Sequence, residues 1–255
     1  MIVANNDVLL SIEDLHVTVE GVEVVKGVSL ELKAGEKHAI MGPNGSGKSS
    51  MANALAGHPA YEITHGKVTL AGVNLLDMDA TQRSRAGLFL AFQYPMSVPG
   101  VTVTNFLRSA VKAHRGDGDD VLRSFRKDLK NAFELLEMDE KFASRYVNDG
   151  FSGGEKKRFE ILQMAMLLPR VMILDETDSG LDIDALKVVS EGVNRVSSKD
   201  NAVLLVTHYQ RILNYVKPDQ VHVMIDGHIA LSGGADLACQ LEEKGYDWLK
   251  AEQVA

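Results

Sequence analysis

The apolar run His38-Ala39-Ile40-Met41 passes straight into Gly42-Pro43-Asn44-Gly45-Ser46-Gly47-Lys48-Ser49, and helix-forming residues follow from 48 to 56. No other stretch restricts the fold as much. Glycines at these positions bend the backbone so that bare amide N–H groups line a concavity at a helix N-terminus, where the dipole favours an anion. A strand, a glycine loop and a helix in that order give a G-x-x-x-x-G-K-S match its credible context. They also demand a sheet with helices packed on it. In that setting Lys48 reaches the β- and γ-phosphates of a nucleoside triphosphate, and the Ser49 hydroxyl ligates Mg²⁺ with Ser50 beside it. The alternative is a glycine-rich turn carrying a solvated lysine.

A second glycine motif, Ser152-Gly153-Gly154-Glu155, opens a helix expected to run to Pro169. Serine followed by glycines offers a hydroxyl and exposed N–H donors, a second anion site. The alternative is an ordinary N-cap. Lys156-Lys157-Arg158 place positive charge in the first turns, against the helix dipole, which fits a triphosphate or acidic partner nearby; a solvated charged face is the alternative. A nucleotide binder needs only the first motif. Both together point to two chains that close on ATP, each supplying what the other lacks.

Other residues fall at strand ends. Val171-Met172-Ile173-Leu174 and Val203-Leu204-Leu205-Val206 are continuous apolar runs, as in parallel strands covered on both faces. Asp175 and Glu176 follow the first run. Adjacent carboxylates beside a core need a reason: Asp175 suits Mg²⁺ held through water, and Glu176 suits orienting the water that attacks the γ-phosphate. A helix N-cap cluster is the alternative. His208 follows the second run, where an imidazole can hydrogen-bond the γ-phosphate, although a lone histidine is more often structural. Gln93, in Phe92-Gln93-Tyr94, can contact Mg²⁺ or the attacking water, or be a surface glutamine at a boundary.

The remaining periodicity fills in an α/β chain. Residues 8–25 and 28–32 are β-rich, another strand is expected at 67–70, and Asp226-Gly227 between two β-rich runs is a hairpin signal. From 95 to 158 the texture turns helical: Leu122, Phe125, Leu129, Ala132, Phe133 and Leu136 share one helical face. The acidic stretch 116–120 before it reads as a solvated loop that lacks the later ligands of a calcium site. Helices are expected at 159–168, 183–196 and 235–250. The organisation is a nucleotide core at 1–94 and 165–255, interrupted by a helical lobe at 95–164.

Composition narrows the partners. The chain is 45% hydrophobic, enough for a substantial core, and its formal net charge of −8 argues against a nucleic-acid surface. No apolar run approaches the roughly 18 residues of a membrane span. The start, Met1 to Asp7, has neither a basic region nor a secretory core, and the single thiol, Cys239, allows no disulfide framework. A cytosolic protein without direct membrane insertion is expected.

In their order, the cradle, Gln93, Ser152-Gly153-Gly154, Asp175-Glu176, Ser179-Gly180-Leu181-Asp182 and His208 resemble the ATP-binding cassette family. The resemblance implies a P-loop NTPase fold: a RecA-like core with an N-terminal antiparallel β part and an inserted helical subdomain. It also implies a transient head-to-tail dimer with two ATPs sandwiched between cradle and Ser-Gly-Gly surfaces, and Asp182 at the interface. Longer strings, among them Ala91-Phe92-Gln93-Tyr94-Pro95, Phe151 to Arg158, Asp178 to Lys187 and Thr207 to Leu213, resemble the soluble branch serving SUF iron–sulfur cluster assembly. That branch implies SufB-like and SufD-like scaffold partners, with the cluster forming on the partner. Glu155 replaces the family's usual Gln and Thr177-Asp178 its usual Pro-Thr, both as in that branch. Val19 stands where many cassettes stack an aromatic on adenine. The competing readings are the motor of a membrane importer and a nucleotide-gated switch that scarcely hydrolyses; Glu176 argues against the switch.

Overall fold

The computed structural model describes residues 8–116, 118–246, 248 and 249. Met1 to Asp7, Asp117 of the acidic stretch and Lys250 lie outside the described residues. The first half contains β1 (Val8–Val19), β2 (Val22–Lys33), β3 (Lys37–Met41), α1 (Lys48–Ala56), β4 (Glu62–Leu70), β5 (Val73–Asn74), α2 (Ala80–Ala86) and β6 (Leu88–Ala91). The middle holds β7 (Val98–Thr102), α3 (Val103–Arg115), α4 (Asp119–Leu135), β8 (Tyr146–Val147) and α5 (Gly153–Leu167). The last part holds β9 (Val171–Asp175), α6 (Ile183–Val196), β10 (Ala202–Val206), β11 (Gln220–Ile225), β12 (His228–Gly233) and α7 (Asp236–Lys244).

A six-stranded sheet in the order β12-β11-β3-β10-β9-β6 forms the centre, and β2-β1-β4-β5 form a separate antiparallel sheet. β3, β10 and β9 run parallel and side by side, so their C-terminal ends emerge together. That shared edge is where ligands settle in open α/β sheets. Alternate side chains divide the central strands between two cores. Met41, Leu174 and Leu205 join the core under α5, α6 and the lobe, while Ile40, Ile173 and Leu204 join the one shared with α1 and the antiparallel sheet. Burial on both faces explains why these runs alternate so little in sequence.

Where expectation and structure differ, the reasons are local. The stretch 95–158 is interrupted by the β7–β8 pair, whose short strands carry no clear alternation. Asp119 and Asp120 open α4 instead of lying in the loop, a favourable place for carboxylates at a helix N-terminus. Phe125, Leu129, Ala132, Phe133 and Leu136 are buried in the lobe core as the periodicity expects, and the side chain of Leu122 lies outside the described ones. α5 stops at Leu167, with Leu168 left-handed at φ +52°, and α7 stops at Lys244 before Gly245 at φ +69°. The 226–227 hairpin forms, with Asp226 and Gly227 both at positive φ.

Between β3 and β11 lies a buried histidine pair. His222 Nε2 stands 3.1 Å from His38 Nδ1, and His222 Nδ1 2.7 Å from Ser232 Oγ. Burial pushes His222 down to about 4, with His38 adding to the effect, and burial also holds His38 below its ordinary value against the pull of Glu36. Both rings thus stay neutral in the fold while the unfolded chain takes up protons near pH 6.5. Stability is full above that pH and is lost as pH falls toward 4, by on the order of 3 kcal/mol for His222 alone. The urea midpoint is expected to fall across this window, and to fall less in His222→Asn.

Candidate active site

The cradle is built by close approach as much as by glycine freedom. A Cβ on Gly42 would lie 2.1 Å from the Met224 carbonyl oxygen, and one on Gly47, at φ +103°, 2.4 Å from that of Val24. The β11–β12 hairpin braces the loop as well, with Gly227 N donating to Ser46 O at 3.0 Å. Inside this ring lies Lys48, 4% exposed. Its Nζ donates to Gly42 O at 2.8 Å, to Pro43 O at 2.9 Å and, more distantly, to Ser46 Oγ at 3.4 Å. Burial lowers the Lys48 pKa, opposed by Glu176 and Asp175.

Asn44, Gly45, Ser46, Gly47, Lys48, Ser49 and Ser50 line a cleft of about 350 Å³ together with Gln93, Glu176 and His208. Ser49 Oγ donates to Asp175 Oδ1 at 2.8 Å. Burial raises the Asp175 carboxyl to about 6; the Ser49 bond and Lys48 oppose this, while Glu176 adds to it. Glu176 sits just past β9 at φ +45°, a left-handed backbone that a non-glycine residue adopts at a cost of ~1–3 kcal/mol. That turn aims its carboxylate into the cleft, where Gln93 Nε2 donates to Oε2 at 2.5 Å. His208 Nδ1 lies 3.6 Å from Glu176 Oε1, and it is buried without a hydrogen-bond partner among the described residues. These groups fit a triphosphate with its cation: a buried ammonium, loop amides, a hydroxyl on a carboxylate, and an imidazole beside the second carboxylate.

The second motif stands elsewhere. Ser152, Gly153, Gly154 and Asp182 do not line this cleft. Ser152 caps α5, accepting from Glu155 N at 3.2 Å, while Glu155 Oε2 accepts from Ser152 N at 2.8 Å. Asp182 caps α6 by accepting from Ala185 N at 2.7 Å. The two helix starts are neighbours, since a Cβ on Gly154 would lie 3.3 Å from Ala185 Cβ. Glu155 also pairs with Arg145, whose hydrogen bond holds the carboxyl below its ordinary range. A glutamine would close the capping box but leave that guanidinium without its anion. The expected cluster Lys156-Lys157-Arg158 is corrected at its centre. Lys157 is 4% exposed and faces inward, committed to Glu160 and to the Phe92 carbonyl.

Several residues near the cleft carried no site role in the sequence reading. Tyr94 and Ser179 line it. Behind it, Thr207 Oγ1 lies 3.0 Å from Asp178 Oδ2, and Arg211 donates to the Asp178 carbonyl oxygen at 2.9 Å, tying the turn after Glu176 to the turn bearing His208. The signal available in the sequence was position: Asp178 stands four residues past the apolar run 171–174, and Thr207 directly follows the run 203–206.

This geometry has counterparts. Residues 25–179 match the family described as ABC transporter. Vegetative protein 296 of Bacillus subtilis (strain 168) is 57% identical over 244 residues, 95% of this chain and 94% of that protein. A probable ABC transporter ATP-binding protein of Streptococcus pyogenes serotype M18 is 56% identical over 239 residues, 93% of each. Among solved structures, a dimeric post-hydrolysis state of an ATP-binding cassette bound to ADP and Pi superposes with a TM-score of 0.76. It is 22% identical and covers 89% of this chain and 98% of that one, a likeness that shows the P-loop NTPase fold. With cradle, carboxylates and strand order in place and a family match over more than half its length, the chain belongs to the ABC transporter family, as a SufC-like ABC ATPase.

Proposed function

We propose that this ATPase hydrolyses MgATP between two transiently paired copies and uses the cycle to move a SufB-like and SufD-like scaffold during iron–sulfur cluster assembly. The observation that carries the catalytic part is the convergence of Gln93, Glu176 and His208 over the cradle, within one cleft of about 350 Å³. The backbone N–H groups of residues 44–50 and the Lys48 ammonium hold the β- and γ-phosphates, with Gly42 and Pro43 shaping the loop that presents them. Ser49, Gln93 and, through water, Asp175 would hold Mg²⁺, which would neutralise charge on the phosphate oxygens. Glu176 accepts a hydrogen bond from the water whose oxygen attacks the γ-phosphorus, while the bond to the bridging oxygen breaks toward ADP. His208, which lines the same cleft beside Glu176, donates to the γ-phosphate.

Ser152, Gly153 and Gly154 lie outside the cleft, which supports their serving the partner copy's nucleotide, with Asp182 beside them at the same face. Lone chains therefore turn over slowly. The solved relative in the dimeric, ADP- and Pi-bound state lends this reading a precedent for the fold. In domain terms the nucleotide core comprises residues 1–94 and 165–255, and the helical subdomain 95–164. The proposed setting is cytoplasmic. Among the described residues no helix is long and apolar enough to cross a membrane.

A second reading, the motor of a membrane importer, draws on the streptococcal relative, which is named as a probable ABC transporter ATP-binding protein. Untargeted co-purification of the tagged chain from native extract separates the two. Recovery of soluble scaffold proteins in stoichiometric amount is expected; recovery of integral membrane proteins in their place overturns the scaffold assignment and leaves the ATPase standing.

A further inference from the structure

Lys157 and Glu160 lie one helical turn apart on α5, with side chains only 5% and 3% exposed, and pair at 3.1 Å. A buried ion pair contributes little net stability, because desolvation of two charges offsets their attraction. Its contacts indicate another use. Glu160 Oε1 accepts from Phe92 N at 2.7 Å, and Lys157 Nζ donates to Phe92 O at 2.6 Å and to Gln93 O at 3.4 Å. One peptide segment is thus held at both its donor and its acceptor. The Phe92 ring is 51% exposed, so the grip does not serve to bury it. What it fixes is the chain just past β6, at the residue whose carboxamide lies 2.5 Å from Glu176.

We propose that the Lys157–Glu160 pair is a positioning device: it clamps the Phe92 peptide and thereby sets Gln93 against Glu176. The assignment rests on the catalytic reading of Glu176 given above. Neither side chain touches substrate; both act through Gln93. Their place on α5 gives the clamp a further consequence. The helix starts at Gly153, and Lys157 follows about 6 Å along its axis, so one rigid turn joins the Ser152 face to the Gln93 contact. Contact of a second copy with the α5 N-terminus is in this way felt at the γ-phosphate end of the cleft.

The test compares Lys157→Met/Glu160→Gln with wild type in the full-length chain. The paired change removes both charges while the glutamine carbonyl still accepts from Phe92 N, which guards the fold; Lys157→Met alone is the second variant. Single-turnover ATP cleavage is expected to slow by about ten- to a hundredfold, as for a small misplacement of a reacting group. The KM for ATP stays within about twofold and the melting midpoint near wild type, because the loop amides and Lys48, which carry most of the phosphate binding, are untouched. In a Gln93→Ala background the same paired change is expected to add almost nothing. Wild-type cleavage by the paired variant overturns the clamp. So does a loss that adds in full to Gln93→Ala, or one that tracks a fallen melting midpoint. Glu176→Gln run in the same assay keeps the two claims apart: undiminished cleavage there defeats the catalytic reading, whereas Glu176 dependence with a normal clamp variant defeats the clamp alone.

Discussion

Glu176→Gln is expected to lower ATP turnover by about a hundred- to ten-thousandfold, the range for losing a positioned general base, while nucleotide still binds. The amide keeps the size of the side chain and can still meet Gln93 through its oxygen, so the pocket is preserved. What it loses is the negative charge that draws a proton from the attacking water. The backbone at φ +45° is costly for this residue, and such cost at the end of an otherwise regular strand fits a carboxylate that must face the cleft. Because cleavage is what lets paired copies separate in this reading, the variant is also expected to accumulate as a two-copy species. Light scattering on material separated with saturating MgATP measures this. A variant that stays single-copy, even with its scaffold partners added, removes the dimer cycle. A variant that cleaves at the wild-type rate removes the catalytic assignment instead.

What could be read from the sequence was what depends on neighbours in the chain. The cradle, α1, α6 and the 226–227 hairpin are written in local signals: glycines where φ is positive, a cap, a period. Strands β9 and β10 announced themselves by length and uninterrupted apolarity. The less legible parts depend on partners far away in sequence. Leu88 to Ala91 form the edge strand β6 only because Val171 to Leu174 lie beside them. β7 and β8 pair across residues 98 and 147, with no alternation in either segment to betray it. Lys157 misled for the same reason. Its charge and its place in a basic triplet favour solvent, and only the Glu160 carboxylate and the Phe92 carbonyl turn it inward. The capping role of Ser152 was legible as one of two readings. Capping inside the chain and donation to a second copy involve different atoms, Oγ accepting in the first and loop N–H groups donating in the second, so the observed cap does not use up the motif.

Lys48→Met is expected to reduce turnover by about a hundredfold or more, the loss typical of a preorganised charge aimed at the transferring phosphoryl group. It also weakens nucleotide binding, which Glu176→Gln does not. The side chain's partners explain the difference. Nζ rests on the carbonyl oxygens of Gly42 and Pro43, inside the loop that cradles phosphate, so removing it discharges the site before any ligand arrives. Folding is expected to survive: the carbonyls left without a donor are destabilising by ~1–3 kcal/mol, yet the unfavourable burial of an ammonium goes with them. Lys48→Arg makes the sharper comparison. It keeps the charge, but a planar fork cannot sit on two carbonyls spaced for a compact ammonium while still reaching a phosphate. Titration with a fluorescent ATP analogue, alongside phosphate release, reads both steps. If geometry governs, arginine binds nucleotide better than methionine and cleaves it almost as poorly. Restoration of near wild-type cleavage by arginine would mean that bulk positive charge suffices, and that the carbonyl perch of Lys48 has no part in aligning the γ-phosphate.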